Sequence, residues 1–255
     1  MLYVCIPSFD EAPTVGVLLW KIRTLFQEYA REYEVLVYDD ASTDATREVL
    51  APYASVMPVS VIGEPTRVGY ARAVDALLRE ASRRTSYPRR DAVLLMQADF
   101  TDLPEGIPEL VKRFEGGADV VVAERTVPAT APEPLRKLHD LVKWLPRLWP
   151  LRKAVTVPGV PDPFGTFRLL RITVVRDLLK AAGDGPASRA DDPWQANLEY
   201  LQAAAAQARR VESVALPVRF DIRERDTRRD PWPDAWALAK SAWAARKRPP
   251  ARPVA

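Results

Sequence analysis

The sequence predicts a single α/β domain with a mostly parallel sheet sandwiched between helices. Short apolar runs alternate with segments of helical period along the first half of the chain. Acidic residues recur just after those runs, where a parallel sheet places its ligand-binding loops. The composition of the 255 residues, 47% hydrophobic and 28% charged, suits an ordinary globular protein with a sizeable core.

Leu2–Pro7 reads as the first strand. A helix follows from about Thr14 to Ala30, on which Val15, Leu18, Leu19 and Ile22 share one face. Glu34–Tyr38 reads as a buried strand, Asp44–Leu50 as the start of a helix, Val59–Ile62 as a short strand and Gly69–Ser82 as a helix. Ala92–Met96 is an apolar strand running into Gln97, Ala98 and Asp99. A helix around Ile107–Phe114 and a strand at Asp119–Ala123 are expected next. Such alternation implies right-handed βαβ crossovers. Further on, helices are expected near Thr173–Ala182 and Trp194–Arg209, and a strand at Val211–Val218.

Between these parts the rhythm breaks. Residues 126–163 are rich in Pro, Trp, Lys and Arg, and the last thirty or so residues are polar, Pro-rich and basic. The net charge of +3 is therefore uneven: 126–160 carries six Lys/Arg against two Asp/Glu, and 219–255 ten against five, so the remainder is acidic. A basic face of this kind meets anionic partners. The one cysteine, Cys5, lies in an apolar run, which excludes an internal disulfide and suggests a reducing compartment. No apolar stretch approaches the roughly 18 residues a membrane span needs, so none is expected.

Three strand ends carry the chemistry. The first is Pro7-Ser8-Phe9-Asp10-Glu11, the second Asp39-Asp40-Ala41-Ser42-Thr43-Asp44, and the third Gln97-Ala98-Asp99. Any one of them could merely cap the next helix. Together, in this order, they resemble glycosyltransferase family 2, the inverting enzymes of GT-A (Rossmann-like) fold, and most closely its dolichol-phosphate and polyprenyl-phosphate mannosyltransferase branch. Cys5–Glu11 is similar to the family's apolar-Pro-x-Tyr-Asn-Glu opening and Val37–Asp44 to its Val-Asp-Asp-x-Ser-Thr-Asp signature. Met96–Glu105 resembles the Asp-x-Asp segment with its downstream Pro-Glu, Asp162–Arg168 the Asp-Pro-x-x-Gly-Phe-Arg box, and Leu216–Phe220 with Arg223 to Arg228 the family's tail. The likeness extends over residues 1–228 as one GT-A domain, with 229–255 as a basic, Trp-containing tail.

The resemblance implies a nucleotide-sugar donor bound by Pro7, Phe9, Glu11, Val37, Asp39, Asp40, Gln97 and Ala98. Arg125, Arg168, Arg223 and Arg228 are then candidates for its phosphates. It also implies a divalent cation, Mg2+ or Mn2+, on Asp99 with Gln97 and Thr101 as further ligands. Gln97 departs from the family, which places an acid there; an amide oxygen coordinates, but with one formal charge fewer, so weakened cation binding is expected.

The acceptor is less plainly written. His139, the only histidine, sits in the irregular basic region. Asp191 and Asp192 are better placed as catalytic bases, although both also suit the capping of a helix at Pro193. A lipid-phosphate acceptor needs no base, because a phosphomonoester is largely dianionic at neutral pH. Leu, Val and Trp interleaved with Lys and Arg over 135–153, and Trp232, Trp236, Ala239 and Trp243 on one helical face, suit the interface of an anionic membrane. The reading is thus a cytoplasmic transferase, peripheral at the inner face of a membrane, acting on a polyprenyl phosphate. Two alternatives stand beside it: a family 2 enzyme using a hydroxylated small molecule with Asp191 or Asp192 as base, and a non-catalytic nucleotide-sugar-binding protein. A nucleic-acid partner is not expected, since it would leave the acidic strand ends unexplained.

Overall fold

The computed structural model describes residues 1–126, 156–188, 190 and 192–217, with the isolated positions 133, 136, 137, 140, 236 and 240. Most of the basic segment expected over 126–163, and nearly all of the tail at 229–255, lie outside these residues.

The chain alternates as its pattern predicts. β1 (Leu2–Ser8), α1 (Ala12–Glu28), β2 (Tyr33–Asp39), α2 (Thr46–Leu50), β3 (Val59–Ile62), α3 (Tyr70–Arg84), β4 (Ala92–Leu95), α4 (Ile107–Glu115) and β5 (Val120–Thr126) come first. β6 (Arg168–Arg171), α5 (Ile172–Ala182), α6 (Pro193–Gln207) and β7 (Val211–Pro217) complete the described part. The seven strands form one sheet in the order β3-β2-β1-β4-β6-β5-β7.

The four strands on one side of this sheet are parallel, with Ser8 opposite Asp39 and Cys5 opposite Leu95. Their carboxyl ends therefore share one edge. β6 is the element that the sequence pattern missed: Leu169 and Leu170 between two arginines are too few residues to show a period. It inserts antiparallel between β4 and β5, while β7 runs parallel to β5. The sheet is accordingly mixed, as large α/β sheets often are.

Strand alternation divides the core in two. Leu2, Val4 and Ile6 of β1 face α1, α2 and α4 together with Val35, Val37, Leu94 and Val121. Tyr3 and Cys5 face α3, α5 and α6 together with Leu36, Val93 and Val122. Successive side chains of a strand point to opposite faces, so an apolar run covered by helices on both sides is what such a strand needs. Even four-residue β6 obeys this, with Leu169 in one cluster and Leu170 in the other.

That division has a measurable consequence. Leu169→Ala and Leu170→Ala should each lower the unfolding free energy by about 2–5 kcal/mol in urea titrations, since each opens a cavity in a different packed layer. Val61→Ala, at a 43% exposed position on the edge strand, should cost well under that range.

Candidate functional site

The loops that leave β1, β2 and β4 at the shared edge are built alike. Each contains a non-glycine residue in the left-handed region, Asp10 (φ 52°), Ala41 (φ 56°) and Phe100 (φ 61°), and among the described residues no other non-glycine position does so. Such conformations cost of order 1–3 kcal/mol each and persist where surrounding contacts over-determine them. Here those contacts are visible.

The first two loops are latched side by side. Asp10 accepts hydrogen bonds from the Thr43 amide (2.7 Å) and hydroxyl (3.2 Å), while its own amide donates to Ser42 Oγ at 2.9 Å. The Glu11 amide donates to Thr46 Oγ1 at 2.9 Å, and the Ala12 amide to Asp44 Oδ2 at 3.1 Å. The Ser-Thr-Asp that follows the paired aspartates is thus a latch for the neighbouring loop. Burial alone would raise the Asp44 carboxyl, but hydrogen bonds from the Thr46 side chain and the Ala12 and Thr46 amides hold it below the usual carboxylate range.

The paired aspartates divide their work. Asp39 is fully buried and accepts from the Ser42 amide at 3.1 Å and from the Arg47 guanidinium. Asp40 reaches the next loop, accepting from the amides of Val68 (2.6 Å) and Gly69 (3.0 Å), with Arg67 Nε at 3.5 Å. Gly69 itself takes φ 87°, a turn that only glycine makes freely, just before α3. A Cβ at Gly63 would collide with the Asp39 carbonyl, so β3 leaves the sheet pressed against β2. Arg67 then lies over the Phe9 ring, 3.6 Å from its centroid, a cation–π contact on the wall of the site.

Between these loops and the start of α6 opens a cavity of about 310 Å3. Phe9, Glu11 and Asp40 line it on the side of β1 and β2, Gln97, Ala98 and Asp99 at the end of β4, and Asp192 and Trp194 at α6. The size and the mixture of aromatic, amide and acidic groups suit a small polar ligand with a planar part. Asp192 also caps α6, accepting from the Gln195 amide at 3.0 Å, so the residue that lines the cavity has its expected capping role as well. Asp99 accepts from the Thr101 amide at 2.9 Å and from the Thr101 hydroxyl.

Below the cavity the polar groups interlock. Gln97 Nε2 donates to Thr166 Oγ1 at 2.7 Å, Asn197 Nδ2 donates to the same oxygen at 3.0 Å, and the Tyr70 hydroxyl donates to Asn197 Oδ1 at 2.8 Å. Burial raises the Tyr70 phenol above its ordinary value, so it remains a donor at neutral pH. As a cation site the set is sparse. Among the described residues no three His, Cys, Asp or Glu side chains converge to hold a metal. One carboxylate beside an amide does fit a hard cation that brings the rest of its oxygen ligands from a bound diphosphate.

A family model for glycosyl transferase family 2 matches residues 3–179, more than half of the chain. The chain belongs to glycosyl transferase family 2. It is 29% identical over 174 residues to a bactoprenol glucosyl transferase of Shigella phage SfV, covering 68% of this chain and 52% of that protein. It is 32% identical over 124 residues to the dolichol-phosphate mannosyltransferase of Pyrococcus furiosus, covering 49% of this chain and 33% of that one. The chain thus spans about half the length of the phage enzyme it matches. Among solved structures, glucosyl-3-phosphoglycerate synthase from Mycobacterium tuberculosis, in complex with Mn2+ and uridine-diphosphate-glucose, superposes with a TM-score of 0.63 at 16% identity, covering 98% of this chain and 80% of that one. That likeness shows the GT-A fold.

In this family 2 chain the cavity gathers Pro7, Phe9, Glu11, Asp40, Gln97, Ala98, Asp99 and Asp192 of the residues expected at the site. Others lie elsewhere. Val37 is packed under α1 in the core, and Asp39 sits beneath its loop. Arg168, expected on the donor's phosphates, is fully buried at the start of β6 and donates to the carbonyls of Gly165, Thr166 (3.3 Å) and Asn197 (2.8 Å). It clasps the backbone because β6, absent from the sequence reading, carries it inward. Asp191, Arg223, Arg228, His139 and the side chain of Arg125 lie outside the described residues.

Arg67, Tyr70, Phe164, Trp194 and Asn197 line the cavity without having been expected there. Arg67 follows a strand that ends at the same edge, so the strand-end rule would have found it. An asparagine inside the apolar face of a helix was the signal for Asn197.

Two changes probe this architecture. Ala41→Gly, which relieves a left-handed alanine, should raise stability by roughly 1 kcal/mol in chemical denaturation. For Asp44 the folded value lies below the unfolded one, so its contribution is present above the unfolded carboxylate pKa of about 3.9 and is lost as pH falls through the folded value. Melting curves of wild type and Asp44→Asn should accordingly differ at neutral pH and converge in acid; a constant gap down to acid pH would contradict this role.

Proposed function

We propose that this chain is the catalytic domain of an inverting glycosyltransferase that moves a sugar from a nucleoside diphosphate donor to a polyprenyl phosphate at a membrane surface. The observation that carries the reading is the cavity at the parallel strand ends, which joins Phe9, Glu11 and Asp40 at one end to Asp99, and Asp99 to Asp192 and Trp194 at the other. The relatives support the acceptor: besides the bactoprenol and dolichol-phosphate enzymes, an undecaprenyl-phosphate 4-deoxy-4-formamido-L-arabinose transferase of Photorhabdus laumondii is 29% identical over 124 residues.

In this reading Phe9 and Arg67 form a flat wall for the base, and Glu11 accepts from donor hydroxyl groups. Trp194, edge-on to Phe164 at 6.2 Å between centroids, gives the sugar an apolar wall. An oxygen of the acceptor phosphate attacks the anomeric carbon from the side opposite the diphosphate. The bond from that carbon to the diphosphate oxygen breaks, its electron pair leaves with the nucleoside diphosphate, and the configuration inverts. The attacking phosphate is already dianionic near neutral pH, with a second pKa near 6, so no proton has to be removed. Asp99 is the residue that would hold a divalent cation, with Gln97 and Thr101 beside it. When bound, such a cation neutralises charge on the leaving diphosphate.

Membrane contact is assigned to the basic, Leu- and Trp-rich segments, which would lie on an anionic surface. Among the described residues no helix is long and apolar enough to cross a membrane. A second reading is favoured by Asp192 in the cavity: a hydroxyl acceptor whose proton Asp192 removes.

The test compares acceptors and variants with the full chain. Polyprenyl phosphate in detergent should be glycosylated, Asp99→Asn should lower the rate on the order of 10²–10³-fold, and Asp192→Asn should leave it within a few-fold. Transfer only to hydroxyl acceptors, abolished by Asp192→Asn, would replace the first reading by the second. In melting experiments a nucleoside diphosphate at a hundred times its Kd should stabilise the protein by about 2.7 kcal/mol.

A further inference from the structure

Gln97 is the one place where a signature of this chain departs from the family's acid, and the structure shows its amide engaged. Thr166 Oγ1 receives both the Gln97 amide at 2.7 Å and the Asn197 amide at 3.0 Å. A threonine hydroxyl has two acceptor sites, and these donors occupy both. Asn197 is in turn fixed by the Tyr70 hydroxyl at 2.8 Å, and its carbonyl accepts from Arg168 at 2.8 Å. The Gln97 main chain is held as well, its amide donating to Asp102 Oδ2 at 2.9 Å.

Thr166 and Asn197 are 3% and 4% exposed, so these bonds act in a low-dielectric interior where each is strong and hard to replace. The result is a short bridge across the floor of the cavity. One end is the loop that carries Asp99; the other is the second turn of α6, whose first residues follow directly on Asp192.

We propose that Gln97 is a positioning residue rather than a cation ligand: through Thr166 and Asn197 it fixes the distance between the Asp99 loop and the Asp192–Trp194 end of α6, that is, between the donor's leaving group and the acceptor. The proposal rests on the transferase reading above. Its chemistry is that of orientation. A misplacement of about 1 Å between reacting groups can cost on the order of a hundredfold in rate, whereas donor affinity is set by contacts at the other end of the cavity. A donating amide serves this bridge by adding no charge to a floor that lies beside Asp99.

Full-chain wild type, Gln97→Met, Thr166→Val, Thr166→Ser and the Gln97→Met/Thr166→Val double variant would be compared. Sugar transfer gives kcat and donor KM, and titration of Mn2+ into the uridine-diphosphate complex gives cation affinity; melting temperatures confirm that each variant is folded. Gln97→Met and Thr166→Val should each lower kcat about tenfold or more, with donor KM and Mn2+ affinity within twofold of wild type. The double variant should be no worse than the worse single, and Thr166→Ser, which keeps the hydroxyl, should turn over like wild type. Mn2+ affinity falling tenfold in Gln97→Met while Thr166→Val keeps it would make the amide a ligand and overturn the proposal, as would losses that multiply in the double variant. Wild type without transfer to any acceptor would instead remove the transferase reading, and this inference with it.

Discussion

The site depends on the latch between the loops after β1 and β2. Asp10, Glu11 and Ala12 on one loop meet Ser42, Thr43, Asp44 and Thr46 on the other through short hydrogen bonds that use main-chain amides from both loops. Two parallel strands deliver these loops to the same height, with Ser8 opposite Asp39, so the register of the sheet aligns donors with acceptors. Without it, Asp10 and Ala41 would have no reason to remain in left-handed conformations. The strain is thereby converted into shape: Phe9 and Glu11 are turned into the cavity, and Asp40 is free to organise the segment before α3.

Charge in the site is organised by the same economy. Asp39 and Asp40 are both buried, yet each accepts from main-chain amides and lies beside an arginine. A buried carboxylate is tolerable only with such partners. Arg168 follows the same rule from the other sign, buried at the start of β6 against backbone carbonyls. Its burial ties β6 to α6, and α6 brings Asp192 and Trp194 to the cavity. At Asp192 a single acid both caps α6 and lines the cavity.

Much of this was legible in the residues. Apolar runs placed β1 to β5 within a residue or three of their observed bounds, because a strand covered on both faces must be apolar throughout. The strand-end rule led to Glu11, Asp40 and Asp99, which do line one cavity. The family resemblance also named Val37, whose side chain packs into the core, since position beside a motif says nothing about which face a strand residue takes until the register is known. Arg67 was passed over because the loop after β3, with Glu64 as its one acid, lies in none of the family's motifs.

Sequence alone determined the alternating fold, the family and the edge of the sheet at which the cavity opens, for these follow from local periodicity and from short contiguous motifs. Tertiary structure alone decided that the Ser-Thr-Asp of the second signature latches the first, that Arg168 faces inward, and that Gln97 donates to Thr166. Each of those facts joins residues 29 to 69 positions apart, or turns on a four-residue strand with no period of its own. Hydrogen bonds between distant segments are set by how helices pack on the sheet, and that packing is not written in the spacing of any one motif.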